Sequence, residues 1–246
     1  MSRVRLSVIS PTYNERENVV PLAEEIGRAL AGVDHELVFV DDASPDGTAN
    51  AVEEIGARDP HVRVLRRSGT RALSAAVIDG FQAGRGELLA CIDADLQHDP
   101  AILPLMMQEI ENGADLVIGS RYIAEGGTGE WGLIGRMESR VATRLAHWTL
   151  GLRLHDPLSG YFMLRRQDFQ RVRADLNGSG FKILLEIAAH LRPKALREVP
   201  YTFRTRRAGT SKLSTRVVVA YLRQLWRLSA HARRTDARPA QAGARR

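Results

Sequence analysis

Two aspartates separated by one residue, Asp93 and Asp95, form the part of the sequence best suited to chemistry. They follow an apolar segment, and Gln97 adds a neutral oxygen two residues further along the chain. Neighbouring carboxylates repel each other, and a hard divalent cation with oxygen ligands offsets that repulsion. Such a cation is well suited to neutralise a diphosphate leaving group. A lone Asp-x-Asp pair is also common in turns and helix caps, so its surroundings decide between the two interpretations.

A second polar segment, residues 11–15, places Pro11, Tyr13 and Glu15 directly after another apolar run. A tyrosine ring can stack on or border a base, and a glutamate can accept hydrogen bonds from a base edge. The segment also fits a helix start, with Asn14 as the cap and Glu17 at the third helical position. The two interpretations are compatible with each other.

The third polar segment, residues 41–48, begins with Asp41 and Asp42, which are candidates for binding a base or a ribose. The rest of the segment, from Ser44 to Thr48, fits a turn followed by a helix start. We therefore interpret Asp46 and Thr48 as structural residues.

Several basic residues are candidates for binding phosphate. Arg121 lies in the sequence Gly-Ser-Arg-Tyr, and Arg206 and Lys212 lie in Phe-x-x-Arg-x-x-Gly-x-Ser-Lys. Guanidinium groups carry a permanent charge and several donors, which suits phosphate oxygens. Lys182 stands out as one of three lysines in the chain. For each of these residues taken singly, a solvated surface charge is the alternative interpretation.

The elements that must position these residues are predicted from alternating apolar and amphipathic segments. Short apolar runs predict strands at residues 6–10, 36–41, 62–65, 87–92 and 115–119. Helical spacing predicts helices at residues 18–31, 49–57, 72–83 and 101–111. This alternation is typical of an α/β fold with a mostly parallel sheet flanked by helices. Such sheets bind ligands beyond the carboxyl ends of their strands, where all three polar segments begin.

The second half of the chain is less regular and contains two predicted amphipathic helices, residues 131–150 and 213–228. In the later helix, Arg216, Arg223 and Arg227 form a stripe, whereas Leu225 and Trp226 belong to the apolar side. One interpretation is an apolar face on the core and a solvated charged face. The other is a helix at a membrane surface, with Trp and Arg among the head groups. Residues 233–246 are predicted to be a disordered basic tail.

Composition excludes several classes of protein. With 246 residues, 44% hydrophobic and 26% charged, the chain is typical of globular proteins. One cysteine excludes an internal disulfide, no apolar run approaches the ~18 residues of a transmembrane helix, and we see no signal peptide. The net charge of +6 is unevenly divided: residues 1–120 hold ten basic and twenty acidic side chains, and residues 121–246 hold twenty-five and nine. The acidic half and the lack of any nucleic-acid-binding motif argue against a nucleic-acid partner.

Taken together, these motifs resemble those of glycosyltransferase family 2, and within it the dolichol-phosphate (polyprenol-phosphate) mannose synthases. The resemblance runs in order from residue 6 to about residue 230. It rests on the segments PTYNERENV (11–19), VDDASPDGT (40–48), LSAAVIDGF (73–81), DADLQHDP (93–100), GSRY (119–122), DPLSGYFMLRR (156–166) and FRTRRAGTSKL (203–213). The chain departs from many relatives at Ala72, where they have Gly, and at Asp99, where they have Pro. Both positions are peripheral to the expected metal site.

The resemblance implies a GT-A fold and inverting transfer of a sugar from a nucleotide sugar to a polyprenyl or dolichyl phosphate, with Mg²⁺ or Mn²⁺. The residues it places around the base and ribose are Pro11, Tyr13, Glu15, Val40 and Asp42. Those it places at the metal are Asp93, Asp95 and Gln97, with Ala94 lining the nucleotide site. Those it places at donor or acceptor phosphates are Arg121, Arg206 and Lys212, with Lys182 and Arg136 as weaker matches. The catalytic candidates are Asp95, Arg121, Arg206 and Lys212.

We therefore expect mannose transfer from GDP-mannose. The alternatives are glucose or another sugar from a UDP-sugar, or a catalytically silent partner on the same fold. An acceptor phosphate is already ionised near neutral pH, so no strong general base is required. We expect one GT-A domain over residues 1–232, with the nucleotide and metal in residues 1–120 and the acceptor and membrane in residues 121–232. Some relatives continue into transmembrane helices, so we expect this chain to be soluble or peripheral, at the cytoplasmic face of a membrane. A separate membrane subunit is a partner that the sequence leaves open.

Overall fold

The structure is a computed structural model that describes residues 4–69, 71–123, 126–127, 154–178, 182–204 and 223–229. The strands of the described residues are β1 Leu6–Thr12, β2 His35–Asp41, β3 Val62–Arg66, β4 Leu88–Cys91, β5 Leu116–Ser120, β6 Phe162–Arg165 and β7 Leu196–Pro200. The helices are α1 Val19–Ala29, α2 Thr48–Gly56, α3 Leu73–Ala83, α4 Leu103–Glu111, α5 Arg166–Val172, α6 Ile183–Leu191 and α7, residues 223–229. Short 3₁₀ turns precede α4 and follow α5.

The seven strands form one sheet in the order β3-β2-β1-β4-β6-β5-β7. β1 pairs in parallel with β2 and β4, β2 with β3, and β5 with β7. β6 is inserted between β4 and β5 and is antiparallel to both. The predicted α/β fold with a mostly parallel sheet flanked by helices is therefore confirmed.

Each face of the sheet carries its own apolar core, because side chains alternate along the strands. On β1, Leu6 and Val8 join the core under α1 and α4, whereas Ile9 joins the core under α3 and α6. The close approach of α3 to β1 depends on Gly80, since a β-carbon there would lie 2.3 Å from Cγ2 of Ile9. Both faces of the sheet are therefore covered by helices. The ends of the strands are the part of the sheet left open for polar loops.

The last described helix, α7, packs on α6 and divides the predicted apolar side. Leu225 and Leu228 are buried in a small cluster with Leu185 of α6, whereas Trp226 is 77% exposed. The prediction placed Leu225 and Trp226 on one apolar side, and the structure separates them, because only Leu225 faces Leu185 of α6. The predicted helix at residues 131–150, most of the one at 213–228, and the tail from residue 233 lie outside the described residues.

No helix among the described residues is long and apolar enough to cross a membrane.

Candidate active site

The three polar segments meet at the carboxyl ends of β1, β2 and β4, which are neighbours in the sheet. The register pairs Thr12 with Asp41, so the loops after β1 and β2 begin at the same level. β4 ends at Cys91, opposite Ile9, so its loop begins beside the last residues of β1. The side chain of Val40 is wholly buried and faces α3, where a β-carbon on Gly80 would lie 2.8 Å from its Cγ2. Val40 therefore contributes to this edge through its main chain.

Each of the three loops contains one non-glycine residue with a left-handed backbone. These residues are Asn14 (φ 60°), Ala43 (φ 56°) and Leu96 (φ 62°). Asparagine adopts this conformation readily, but for Ala43 and Leu96 it costs about 1 kcal/mol or more and persists only where surrounding contacts impose it. The only other described non-glycine residue with positive φ is Arg192, at the end of α6. Backbone strain in the described chain is thus concentrated at this edge of the sheet.

The loop after β1 is held by the helix starts next to it. Glu15 donates its backbone N–H to Oγ1 of Thr48 (3.0 Å), and Nδ2 of Asn18 donates to Oε2 of Glu15 (2.6 Å). Helix α1 begins at Val19 with Asn18 as its N-cap. The alternative helix start with Asn14 as cap was therefore wrong, because Asn14 adopts a left-handed conformation four residues before the cap of α1.

Tyr13 lies on the same loop, and the guanidinium of Arg71 stacks on its ring, with Cζ 3.8 Å from the ring centroid. This is close enough for a cation–π contact. Arg71 belongs to the segment between β3 and α3, so the contact joins the loops on either side of β2.

The loop after β2 uses its two leading aspartates differently. Asp41 is buried and accepts hydrogen bonds from the backbone N–H (3.0 Å) and the hydroxyl of Ser44, which folds the loop back on its strand. Asp42 forms an ion pair with Arg67 and accepts a hydrogen bond from the backbone N–H of Ala72 (3.1 Å). Asp42 is thereby tied to the start of α3.

Asp46 and Thr48 hold each other, as predicted for a turn followed by a helix start. Oδ1 of Asp46 accepts bonds from the Thr48 backbone N–H (3.0 Å) and hydroxyl (2.6 Å). Burial alone raises the pKa of Asp46, but these hydrogen bonds more than offset it, so its pKa lies below the usual value. The carboxylate is therefore ionised and serves the turn.

The loop after β4 carries Asp93, Ala94, Asp95 and Gln97 on one tight turn. Asp95 and Gln97 are each 8% exposed, and the Gln97 backbone N–H donates to Oδ1 of Asp95 (3.2 Å). The Asp93 side chain is more open, at 38% exposure, and Ala94 is buried. Gln97 is also tied to Arg204, since its Nε2 donates to the Arg204 carbonyl (3.1 Å) and its carbonyl accepts from the Arg204 backbone N–H (2.9 Å).

His98 supports this turn from beneath, and sequence reasoning gave it no role. Its Nδ1 accepts a hydrogen bond from the Asp93 backbone N–H (3.3 Å). Its ring packs against Tyr161, Tyr201 and Phe203, with centroids 5.2, 5.5 and 5.6 Å away. Burial lowers the pKa of His98 to about 4, which keeps the ring neutral and Nδ1 available as an acceptor at neutral pH.

Gly160 lies against the other side of Asp93. A β-carbon at this position would be 2.5 Å from Oδ2 and 2.8 Å from Oδ1 of Asp93. Only glycine fits there without displacing the carboxylate. Gly160 lies in the segment DPLSGYFMLRR, which contributed to the family resemblance. Nothing in that segment predicts contact with Asp93, which is far away in the sequence.

Arg121 forms a buried bidentate ion pair with Asp156. Its Nε and Nη2 donate to Oδ2 (2.7 Å) and Oδ1 (2.8 Å) of that carboxylate. Burial lowers the pKa of Arg121, but the bonds to Asp156 outweigh it and the net pKa is raised. Two nitrogens of the guanidinium that was predicted to bind phosphate are therefore bonded to Asp156. Sequence reasoning gave Asp156 no role.

Lys182 reaches the same region from the start of α6, where its Nζ donates to the Leu158 carbonyl (3.0 Å). Burial lowers the pKa of this ammonium, and the charge of Asp93 acts in the opposite direction. Three other predicted residues, Arg136, Arg206 and Lys212, lie outside the described residues.

The turn fits a divalent cation that keeps part of its coordination for substrate. No group of three or more His, Cys, Asp or Glu side chains suited to a metal occurs among the described residues. Asp93 and Asp95 instead supply two carboxylates, and Gln97 supplies an amide on the same turn. Mg²⁺ is commonly held by one or two carboxylates together with water and substrate phosphates, and Mn²⁺ accepts the same oxygen ligands. Three protein oxygen donors are too few for a closed structural metal site. They suit a metal whose remaining ligands are water and substrate phosphates.

The fold is shared with solved glycosyltransferases. Glucosyl-3-phosphoglycerate synthase from Mycobacterium tuberculosis, solved with Mn²⁺ and UDP-glucose, superposes with a TM-score of 0.67 at 21% identity, covering 98% of this chain and 82% of that one. The complex that also contains phosphoglyceric acid gives 0.66 at 20% identity, with the same coverage. At this identity the likeness establishes the fold.

Sequence relatives are closer. The chain is 41% identical over 227 residues to a dolichol-phosphate mannosyltransferase from Pyrococcus furiosus, covering 92% of this chain but only 64% of that relative. It is 37% identical over 236 residues to the enzyme of that name from Saccharomyces cerevisiae, covering 90% and 86%. A polyprenol monophosphomannose synthase from Mycolicibacterium smegmatis is 38% identical over 217 residues, covering 85% and 81%. The model of glycosyl transferase family 2 matches residues 7–173. The chain therefore belongs to glycosyltransferase family 2 and is a glycosyltransferase.

Proposed function

We propose that this chain transfers mannose from GDP-mannose to a polyprenyl phosphate, with inversion at the anomeric carbon. The observation that carries the proposal is the meeting of the Tyr13, Asp42 and Asp93 loops at one sheet edge, in a chain similar to named dolichol-phosphate mannosyltransferases. This chain covers only 64% of the relative from Pyrococcus furiosus. The acceptor and the sugar are therefore proposed for this chain and are not taken over from that relative.

In this proposal the nucleoside lies across the carboxyl ends of β1 and β2. Tyr13 and Glu15 border the base, and Pro11, Val40 and Ala94 form the floor, the buried Val40 through its main chain. Asp42 accepts a hydrogen bond from the ribose. Its ties to Arg67 and to the Ala72 backbone N–H hold the carboxylate in place for that bond.

The diphosphate lies at the Asp93–Gln97 turn. Asp93, Asp95 and Gln97 are the residues that would hold Mg²⁺ or Mn²⁺. The chemistry that the bound cation supplies is neutralisation of charge on the departing diphosphate. The Asp93 backbone is held by His98, and the carboxylate of Asp93 is packed against Gly160. These contacts fix the ligand geometry in advance, which removes part of the reorganisation that catalysis would otherwise require.

The acceptor phosphate attacks without a general base because it is already ionised. We assign Lys182 to binding of this phosphate, with Arg206 and Lys212 as further candidates in the basic segment. Arg121 contributes positive charge while its pair with Asp156 holds it in position. Positioning of the phosphate behind the anomeric carbon then supplies much of the rate.

The acceptor's lipid requires contact with a membrane, and we place the chain as a peripheral protein at the cytoplasmic face. Support comes from α7, which buries Leu225 and Leu228 and exposes Trp226 and Arg223. Aromatic and basic side chains on one helix surface are typical of interfacial helices. A separate membrane subunit remains compatible with this arrangement.

Sugar transfer to vesicles tests the proposal directly. Vesicles carrying polyprenyl phosphate are supplied with GDP-mannose or UDP-glucose. Each donor is tested in separate reactions that contain Mg²⁺, Mn²⁺ or a chelator. Metal-dependent formation of lipid-linked mannose is the expected result. Transfer of glucose instead would retain the mechanism and replace the donor, and transfer from neither donor would favour the silent-partner alternative.

A further inference from the structure

The hydroxyl of Tyr201 is buried without a hydrogen-bond partner among the described residues, on a ring that packs against His98 next to the Asp93–Gln97 turn. The residue is 4% exposed and directly follows β7. A buried polar group without a partner costs free energy, so such groups are rare and need a reason. In enzymes one such reason is a partner that arrives with the ligand.

A second tyrosine in the same aromatic cluster shows the ordinary arrangement. The rings of Tyr161 and Tyr201 lie 5.7 Å apart at 79°, in edge-to-face contact. The hydroxyl of Tyr161 donates to the backbone carbonyl of Asp99 (3.1 Å) and is therefore satisfied within the chain. The two phenols share burial and ring neighbours but differ in whether the fold itself provides an acceptor.

Tyr201 is fixed between the Asp93–Gln97 turn and Arg121. Its ring packs on His98, whose Nδ1 accepts the Asp93 backbone N–H, and its own N–H donates to the Ser120 carbonyl (3.2 Å). Burial raises the pKa of its phenol, and among the charges that act on it are those of Arg121, Asp156, Asp93 and Asp95. The phenol is therefore a neutral donor at neutral pH, next to charges of both signs.

We propose that the Tyr201 hydroxyl donates a hydrogen bond to a phosphate oxygen of the nucleoside diphosphate held at the Asp93–Gln97 turn. The inference rests on the proposed function and adds a residue to it. A diphosphate offers several acceptor oxygens, and a phenol can approach them without placing a further charge in a buried position. Because no described residue bonds to the hydroxyl, this contact would replace no hydrogen bond within the described chain.

The test compares Tyr201→Phe with Tyr161→Phe, which remove one hydroxyl each from the same cluster. Thermal unfolding is measured without ligand, and binding of GDP with Mn²⁺ is measured by calorimetry. For Tyr201→Phe we expect an unchanged or higher Tm and a Kd for GDP raised about ten-fold, since hydrogen bonds to charged groups are strong. For Tyr161→Phe we expect the reverse: a lower Tm, because the Asp99 carbonyl loses its donor, and an unchanged Kd.

A Tyr201→Phe variant with a lower Tm and unaltered GDP affinity would overturn the inference, because the hydroxyl would then serve the fold. A parallel titration with Mn²⁺ alone distinguishes a contact with phosphate from a contact with the metal. If Tyr201→Phe weakens Mn²⁺ binding without GDP as much as it weakens GDP binding with Mn²⁺, the hydroxyl acts on water bound to the cation, which would contradict a phosphate contact. If the wild-type chain binds neither GDP nor UDP, the proposed function fails and this inference fails with it. If it binds one of them and Tyr201→Phe binds equally well, only the inference fails.

Discussion

Gly160 leaves the space that the carboxylate of Asp93 occupies. A β-carbon on Gly160 would lie 2.5 Å from Oδ2 of Asp93, closer than any stable contact between these atoms. The strand that follows Gly160, β6, runs antiparallel between β4 and β5, and this insertion brings the glycine beside the turn after β4. The odd strand of an otherwise parallel sheet therefore shapes the proposed metal site.

Replacing Gly160 by alanine should displace Asp93. We expect Gly160→Ala to lower sugar transfer on the order of 100-fold, because misplacement of a reacting group by about 1 Å has effects of that size. It should also raise the metal concentration needed for half-maximal activity. Gly27→Ala is the matched control, since a β-carbon there meets nothing within 4 Å. Equal activity in both variants would contradict the role of Gly160.

Asp95 should be needed for turnover but not for folding. We expect Asp95→Asn to reduce transfer by roughly 100-fold or more, because the amide keeps the shape but removes a charge from the proposed metal site. The side-chain oxygen that accepts the Gln97 backbone N–H is retained in this variant, so the turn should stay folded. Activity is measured over a Mn²⁺ titration, and circular dichroism checks the fold. Wild-type activity in Asp95→Asn would rule out a metal at this turn.

The pair Arg121–Asp156 should matter to stability as a unit. Arg121→Ala leaves a buried carboxylate unpaired and should lower the free energy of unfolding by about 3–5 kcal/mol. The double variant Arg121→Met with Asp156→Leu removes both charges and should lose less than Arg121→Ala alone. Denaturant unfolding of the three proteins measures this. If the double variant is the least stable of the three, the two side chains do not act as an isolated pair.

The acid limb of the stability curve should depend on Glu36. Burial alone raises the pKa of Glu36, but hydrogen bonds from Ser7, Arg85 and Arg63 more than offset it, so its pKa lies below the ordinary value of 4.5. The unfolded chain therefore takes up the proton first as pH falls through 4.5. The stability from Glu36 is present above that pH and is lost on acidification.

We therefore expect Glu36→Gln to be less stable than wild type at pH 7 and to lose less further stability between pH 5 and pH 3. Unfolding in denaturant at a series of pH values measures both. The control is Glu53→Gln, because Glu53 pairs with Arg66 at the exposed surface and should change neither quantity measurably. Identical acid limbs in wild type and Glu36→Gln would exclude Glu36 as their source.

The first half of the fold was predictable because its signals are local. Each predicted strand and helix there lies within two residues of the observed one, since strand and helix periodicity is written into neighbouring residues. β6, Phe162–Arg165, was missed because its pairing with Leu88–Cys91 and with β5 depends on distant sequence.

The site divides in the same way. The grouping of Asp93, Asp95 and Gln97 on the turn after β4 was predictable because their residue types and their position after a strand are local features. Their role at a metal stays a prediction. Gly160 and Asp156 were not, since each matters through one contact with a residue far away in the sequence. Tyr201 gave no signal either, because an unpaired hydroxyl is visible only once its surroundings are known.

The exposed side of α7 should bind membranes without supporting the fold. Trp226 is 77% exposed, whereas Leu225 is 2% exposed and packs on Leu185. We expect Trp226→Ala to change the free energy of unfolding by less than about 0.5 kcal/mol while weakening binding to anionic vesicles several-fold. Leu225→Ala should instead lower stability by about 2–5 kcal/mol. Vesicle sedimentation and denaturant unfolding measure the two effects. Unchanged vesicle binding in Trp226→Ala would contradict a membrane contact through the exposed side of α7.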